Sequence, residues 1–433
     1  MDMAVIILAG FFIFFMAINV PIAIAIALST LLALLVSVDG GPALTTVAQR
    51  MAGGINSFAL LAIPFFILSG QLMGQGGIAR RLIEFAKALI GSLPGGLAFV
   101  NVISCMLFGA ISGSSVAATS AIGGFMIPAM KKEGYDNNFS TAITVTSATT
   151  GLLIPPSNIL IVYSLASGGV SIAALFLAGY LPGILVGLSL MCVCGIYAKR
   201  KGFVSGQRVP LRETFARTVE ALPSLFLIFL IIGGIIAGIF TPTEAGAIAV
   251  LYSLLLSVVI YKEVTVRELP DVLLKSVEIT AIVMLLIGAS AAMSWVMSFE
   301  NIPQQMSAGL LALSDNPIVI LLMINLILLV IGIFMDMTPA VLIFTPIFLP
   351  VAALMDISSL HFGIMMILNL CVGLCTPPVG SVLFVGCSIG KTSITDIIRP
   401  LIPMYFAMFV VLALVAAFPI LSEGLPRFFN LID

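Results

Sequence analysis

The sequence predicts an all-α polytopic membrane protein, built as an inverted repeat of two units that each contain about five crossings and one re-entrant helical hairpin. Three observations lead there. The 433 residues are 61% hydrophobic and only 9% charged, where a soluble domain carries about 25% charged residues. Runs such as Ala4 to Val36, Phe226 to Ile239 and Pro403 to Leu421 approach or exceed the ~20 apolar residues that span a bilayer core. Finally, Gly151-Leu-Leu-Ile-Pro-Pro156 returns as Gly373-Leu-Cys-Thr-Pro-Pro378, 222 residues further on.

Taken in order, the first unit covers residues 1–198. Its scaffold crossings are expected at about 4–18, 21–37 and 55–75, then a hairpin at about 95–130, a broken crossing at about 139–168 and a last crossing at 174–197. The opening run has no basic flank and exceeds a signal-peptide core, so it is expected to be retained. A polar cytoplasmic connection, 199–220, joins the second unit, 221–433. There the crossings fall at 222–239, 243–260 and 278–298, the hairpin at about 316–355, the broken crossing at 361–390 and the last at 400–421. The same offset relates Gly168 to Gly390 and Ser171-Ile172 to Ser393-Ile394. Five crossings per unit is an odd number, so the second unit starts on the opposite face and the repeats are inverted. Weak but regular internal repeats are what many secondary transporters are built from.

Short cytoplasmic loops collect Lys and Arg. With both termini outside, 16 of the 18 basic residues fall on the inner side, among them Arg80, Arg81, Lys131, Lys132 and Arg208, leaving only Arg50 and Arg427 outside. The first hairpin is then anchored from inside, beside Lys131-Lys132, and the second from outside, beside Asp315 and Asp356.

Composition also excludes function classes. A net charge of −1 gives no basic surface for nucleic acid, and no G-x-x-x-x-G-K-[ST] loop for ATP is present. Six cysteines lie in apolar runs without C-x-x-C spacing, which suits small core residues. His361, the single histidine, cannot hold a metal alone and reads as a loop or interface residue. The membrane interior offers no convergent set of titratable groups, so an enzyme is not expected.

Consecutive prolines break a helix. At membrane depth the freed carbonyls are tolerated only where they are buried in protein or line a polar cavity. Breaks at Pro155-Pro156 and Pro377-Pro378, equivalent in the two units, therefore point to an ion or substrate site. The hairpins supply the facing wall. The first tip crowds Ser112, Ser114 and Ser115 around Gly109 and Gly113, which permit a tight turn. The second tip carries Asp336 and Thr338. An acid at bilayer depth costs about 2.5–3.5 kcal/mol and is functional by default, although Asp336 could also cap the helix that begins near Thr338-Pro339.

Hard cations such as Na⁺ favour oxygen ligands. One expected site joins Ser112, Gly113, Ser114 and Ser115 to carbonyls from Gly151 to Pro156. Another joins Asp336 and Thr338 to the break from Gly373 through Thr376 and Pro377 to Gly380. Helices restarting near Ser157-Asn158 and Ser381 aim positive ends at the centre, where an anionic substrate would be held together with Ser115 and Thr338. Glu244, just after Pro242, is either a first-turn helix acid or a contact for a partner protein.

The stretches GAISGSSVAATSAIG, GLLIPPSNILIVY, DMTPAVLIFTPIFLP and GLCTPPVGSVLF resemble the large membrane subunit of tripartite ATP-independent periplasmic (TRAP) transporters, from end to end of the chain. The resemblance implies a Na⁺-coupled importer of carboxylate or sialic acid anions in the bacterial inner membrane, moving like an elevator, with periplasmic termini. It implies two partners: a small membrane subunit of about four helices, expected here as a separate chain, and a soluble periplasmic substrate-binding protein. It places sodium at Ser112, Ser114, Ser115, Asp336 and Thr338. Where the first break ends in Ser157-Asn158, the second has Val379-Gly380, so ligands there are expected to be mainly backbone. Overall similarity favours sialic acid over C4-dicarboxylates. A sodium/anion symporter that needs no binding protein, or an ion channel, is the alternative reading.

Overall fold

The computed structural model describes residues 3–202, 210–314 and 316–432, and every regular element among them is helical. The first half contains α1 (Met3–Ala17), α2 (Ile22–Leu34), α3 (Gly40–Gly54), α4 (Ala62–Gln75), α5 (Ile78–Ile90), α6 (Gly96–Ser112), α7 (Ser115–Lys132), α8 (Asn137–Thr150), α9 (Asn158–Ala166) and α10 (Ile172–Lys201). The second contains α11 (Leu211–Ile236), α12 (Pro242–Leu254), α13 (Leu269–Phe299), α14 (Ile302–Leu313), α15 (Pro317–Phe334), α16 (Met337–Leu354), α17 (Ser359–Leu374), α18 (Ser381–Gly390), α19 (Ile394–Ala417) and α20 (Ile420–Phe428). Eight helices among the described residues are long and apolar enough to cross a membrane: α10, α11, α13, α15, α16, α19, and α4 and α12 with their one-turn extensions. The chain is thus a multi-pass helical membrane protein.

The shared sequence of the two halves produces shared helix starts. Asp136 and Ser358, 222 residues apart, each accept a backbone N–H three residues on, from Phe139 at 2.9 Å and His361 at 3.2 Å. Ser171 and Ser393 do the same for Ala174 and Asp396, both at 3.3 Å. Each cap satisfies one of the donors that a helix N-terminus leaves orphaned.

At the centre stand α8 and α17, buried on all sides from Phe139 to Thr150 and from Leu360 to Leu374. A helix surrounded by protein must hide its polar side chains. Helix α8 is rich in Ser and Thr, and it does so by bonding hydroxyls back to its own turns: Thr144 to Ser140 at 2.7 Å and Thr146 to Ala142 at 3.0 Å. The hairpin α6–α7 flanks α8, and α15–α16 flanks α17. The second halves of the broken helices cross over, with α18 against α7 and α8 and α9 against α16. Tyr163 of α9 donates to the Ser359 carbonyl at 2.6 Å, and Asn137 of α8 donates to the Gly390 carbonyl at 2.7 Å. A second group forms outside this body, in which α2, α3 and α4 pack on α13, and α4 on α12.

Several expectations change. The stretches outside the expected crossings also fold: α3, α5, α14 and α20 are helices. Charged and polar residues such as Arg80, Arg81, Gln304 and Gln305 keep α5 and α14 from reading as crossings. Helices α1 and α2, with 15 and 13 residues, span only about 23 and 20 Å. The connection 199–220 is helical at both ends, because α10 runs to Lys201 and α11 starts at Leu211. Arg208, Asp315 and residues 203–209 of that connection lie outside the described residues. His361 is not in a loop but in the first turn of α17, buried, with Nδ1 2.7 Å from Ser422 Oγ of α20.

Candidate functional site

The two hairpin turns meet at one cavity of about 370 Å³. Ser112, Gly113, Ser114 and Ser115 line it from the first hairpin, Asp336 and Thr338 from the second, and Asn158 from the start of α9. These residues lie up to 226 positions apart in the sequence. Ile63, Ile67 and Gln71 of α4 and Ile279 and Val283 of α13 close the other side. Gln71 is a residue that hydropathy alone passes over. An amide inside a largely apolar crossing was the available signal, since such a group needs a polar neighbour.

The first tip differs from the sequence expectation in one respect, whereas the second begins its helix at Asp336 as expected. Gly109 is not in the turn: α6 continues to Ser112, and Gly113 alone turns the chain, at φ 62°. Gly109 instead lets α6 press on the first break. A Cβ added to Gly151 would come within 2.5 Å of Gly109 Cα. The equivalent pair in the second half is Gly332 and Gly373, where a Cβ on Gly373 would come within 2.6 Å of Gly332 Cα. Both tips are thus locked backbone to backbone against their breaks. Asn158 covers the first turn, with its amide over Gly113. The second break is tied by the Gly380 N–H to the Ile333 carbonyl at 3.0 Å, and Gly380 sits at φ 44°, where a side chain would be strained.

The hydroxyls divide by role. Ser114 caps α7 by accepting the Ala117 N–H at 3.2 Å, and Ser112 Oγ lies 3.3 Å from the Ser114 carbonyl. Ser115 is largely buried but lines the cavity. Thr376 donates to the Val372 carbonyl at 2.7 Å, and Ser157 is fully buried, donating to the Leu152 carbonyl at 2.5 Å. Ser157 therefore closes the first break and does not reach the cavity, unlike its expected substrate role. Pro155, Pro156, Thr376, Pro377 and Ser381 are not among the residues that line the cavity.

One buried oxygen remains without a hydrogen-bond partner at the restart of each broken helix: Asn158 Oδ1 and Ser381 Oγ. Asp336 stands at the N-cap of α16 without making a side-chain cap bond. Its side chain is open to the cavity, beside the Met337 and Thr338 N–H groups and the Ser381 hydroxyl. Unpaired buried oxygens are costly, and oxygens facing one carboxylate suit a hard monovalent cation. Among the described residues no three His, Cys, Asp or Glu side chains converge, so the donors present do not form a transition-metal set. Glu244 accepts from the Thr241 N–H and hydroxyl at 2.8 Å, and Thr241 accepts the Glu244 N–H at 3.3 Å. That reciprocal capping box accounts for an acid at this position.

A family model described as the tripartite ATP-independent periplasmic transporter, DctM component, matches residues 9–421. The chain is 55% identical to the uncharacterized protein YgiK of Salmonella typhimurium, over 98% of each chain. It is 40% identical to the sialic acid TRAP transporter large permease protein SiaM of Vibrio cholerae, over 88% of this chain and 89% of that one. Further relatives, from Pseudomonas aeruginosa and Escherichia coli, are named for C4-dicarboxylate and 2,3-diketo-L-gulonate. In three dimensions the chain is similar to the crystal structure of the YdaH transporter of Alcanivorax borkumensis, with TM-score 0.65 over 95% of this chain and 98% of that one. At 14% identity that likeness concerns the fold alone.

Proposed function

The chain belongs to the DctM component family of tripartite ATP-independent periplasmic transporters, and on that premise we propose that it imports a small organic acid anion coupled to Na⁺. The observation that supports this reading is the cavity shared by the hairpin tips, which Asp336, the serines of the first tip and Asn158 line, with unpartnered oxygens at the restarted helices, Asn158 Oδ1 in the lining and Ser381 Oγ next to Asp336. Sodium is proposed at Ser112 to Ser115 with the first break, and at Asp336 and Thr338 with Ser381 and the second break. The N-terminal ends of α9 and α18 favour an anion nearby. Substrate class is proposed as carboxylate, with sialic acid and C4-dicarboxylates first to be tried, since the relatives carry several substrate names.

The hairpins and broken helices interlock across the two halves, whereas α4 and α13 close the cavity from a separate group. This division supports movement of the first body against the second, as an elevator; inverted repeats and periplasmic termini are proposed with it, on the placement of Lys and Arg along the sequence. By length α15 and α16 could each cross; their tip at the shared cavity, beside Asn158, supports re-entry. The proposed partners are a small membrane subunit and a periplasmic substrate-binding protein. The test is uptake by vesicles containing the protein and these two partners. Radiolabelled N-acetylneuraminate or succinate should accumulate only under an inward Na⁺ gradient, and accumulation driven equally by a proton gradient without Na⁺ would sink the coupling.

A further inference from the structure

We propose that a recess between α3 and α13 is a second binding site, which takes the carboxylate of a small organic anion on the guanidinium of Arg50. The proposal rests on the transport reading for the side of the membrane and the class of anion. The recess holds about 810 Å³ and is lined by Thr46, Gln49, Arg50, Ser294, Trp295 and Ser298. It is distinct from the central cavity. Both borrow α13, but Trp295 is twelve residues beyond Val283, about 18 Å along the helix axis.

Arg50 is held but not neutralised. Its Cζ lies 4.7 Å from the centroid of the Trp295 ring, which itself stacks with Phe299 at 5.3 Å. A guanidinium over an aromatic face keeps its charge and its N–H donors, which can fork onto a carboxylate. None of the ion pairs among the described residues includes Arg50. By the distribution of basic charge, the other basic residue on this face is Arg427, and it is paired with Glu423 at 2.8 Å. Arg50 is thus the unpaired cation of the outer face among the described residues. The ring contact restrains the side chain and so lowers the entropy lost on pairing.

The walls are fixed as well. A Cβ on Gly288 would come within 3.1 Å of the Met51 carbonyl oxygen, so α3 and α13 touch through backbone just below the recess. Thr46, Gln49 and Ser294 line the same recess, and their side chains can offer hydrogen bonds to a hydroxylated acid. Such a site would concentrate the anion at the outer face, ahead of the central cavity.

Trp295 is the only tryptophan in the chain, so the fluorescence of the purified protein alone reports the site. Titration with N-acetylneuraminate and with succinate should give a saturable change for at least one acid. N-acetylneuraminate methyl ester, and sodium chloride at matched ionic strength, should give none. Arg50→Gln should weaken binding about tenfold or more, the loss expected for a charge-assisted pair, and Arg50→Lys less. The proposal is overturned if neither acid gives a saturable change, if the ester or salt matches the acid, or if Arg50→Gln responds like the parent. Na⁺-driven uptake on the same preparation separates the two readings. Uptake with a silent Trp295 removes this site and leaves the transporter; a response lost in Arg50→Gln, without any Na⁺-driven uptake, keeps the site and removes the coupling.

Discussion

The thiol of Cys371 donates to the backbone carbonyl of Thr149 at 3.2 Å, and these residues occupy equivalent positions, 222 apart. Equivalent residues of two copies touch one another where a near two-fold relation has its axis close by, as in an isologous interface. The contact lies six residues before each Pro-Pro break, two residues from Gly151 and from Gly373, where each break meets its hairpin. Features on one side should therefore have counterparts on the other. Gly109–Gly151 and Gly332–Gly373 are such a pair, as are the caps Asp136 and Ser358.

That pairing gives a direct prediction. Gly151→Ala and Gly373→Ala should each destabilise the protein by about 1–3 kcal/mol, the usual cost of forcing a methyl into a filled contact. Gly124→Ala, where an added Cβ meets nothing within 4 Å, should be neutral or slightly stabilising. Thermal unfolding in detergent compares the three, and equal unfolding temperatures for all of them would remove the glycine contact from the account.

What the sequence made legible were local rules broken twice. Pro155-Pro156, Pro377-Pro378 and Asp336 stand out because a helix in lipid has no local reason to contain them, and the cavity does bring Asp336 to Ser112, Ser114 and Ser115. Gly109 was legible as special but not in what way, because a turn and a close helix contact ask for the same missing side chain. The scaffold wall was harder still. Ile63, Ile67, Ile279 and Val283 are the same residue types whether they face lipid or a cavity, and periodicity cannot tell those surroundings apart.

Ser157 separates a structural serine from a functional one. Its hydroxyl is buried and donates to the Leu152 carbonyl at 2.5 Å, so Ser157→Ala leaves that acceptor without its donor. The expected cost is about 1–3 kcal/mol of stability. The Na⁺ concentration for half-maximal uptake should stay within about twofold of the parent, a change well under 1 kcal/mol. A large rise in that concentration, without loss of stability, would return Ser157 to the ion site.

Ser381 should show the opposite pattern. Its hydroxyl lies beside the Asp336 carboxylate but within hydrogen-bond distance of no partner, and a buried unsatisfied group costs about 1–3 kcal/mol. Ser381→Ala should therefore unfold at a higher temperature than the parent in Na⁺-free buffer, yet gain less stability when Na⁺ is added. Thermal unfolding with and without Na⁺, against K⁺ as control, reads both effects. A variant less stable without Na⁺, and just as responsive to it, would make Ser381 a packing residue.

Asp336 carries the strongest prediction, because it is the one carboxylate among the residues lining the cavity and takes part in none of the ion pairs among the described residues. It sits at the N-cap of α16 without accepting a side-chain cap bond, so the helix loses little when the charge goes. Asp336→Asn keeps the shape and removes the charge. Its stability in Na⁺-free buffer should match the parent within about 0.5 kcal/mol, as for a substitution that breaks no packing. A ligand stabilises in proportion to the logarithm of its concentration over its dissociation constant. The rise in unfolding temperature with added Na⁺ should accordingly shift to concentrations about 10–100 times higher, the loss of one charge-assisted contact. Na⁺-driven uptake should fall with it. Parent-like Na⁺ stabilisation in Asp336→Asn would place the cation elsewhere and leave the orphaned oxygens of Asn158 and Ser381 to another ligand.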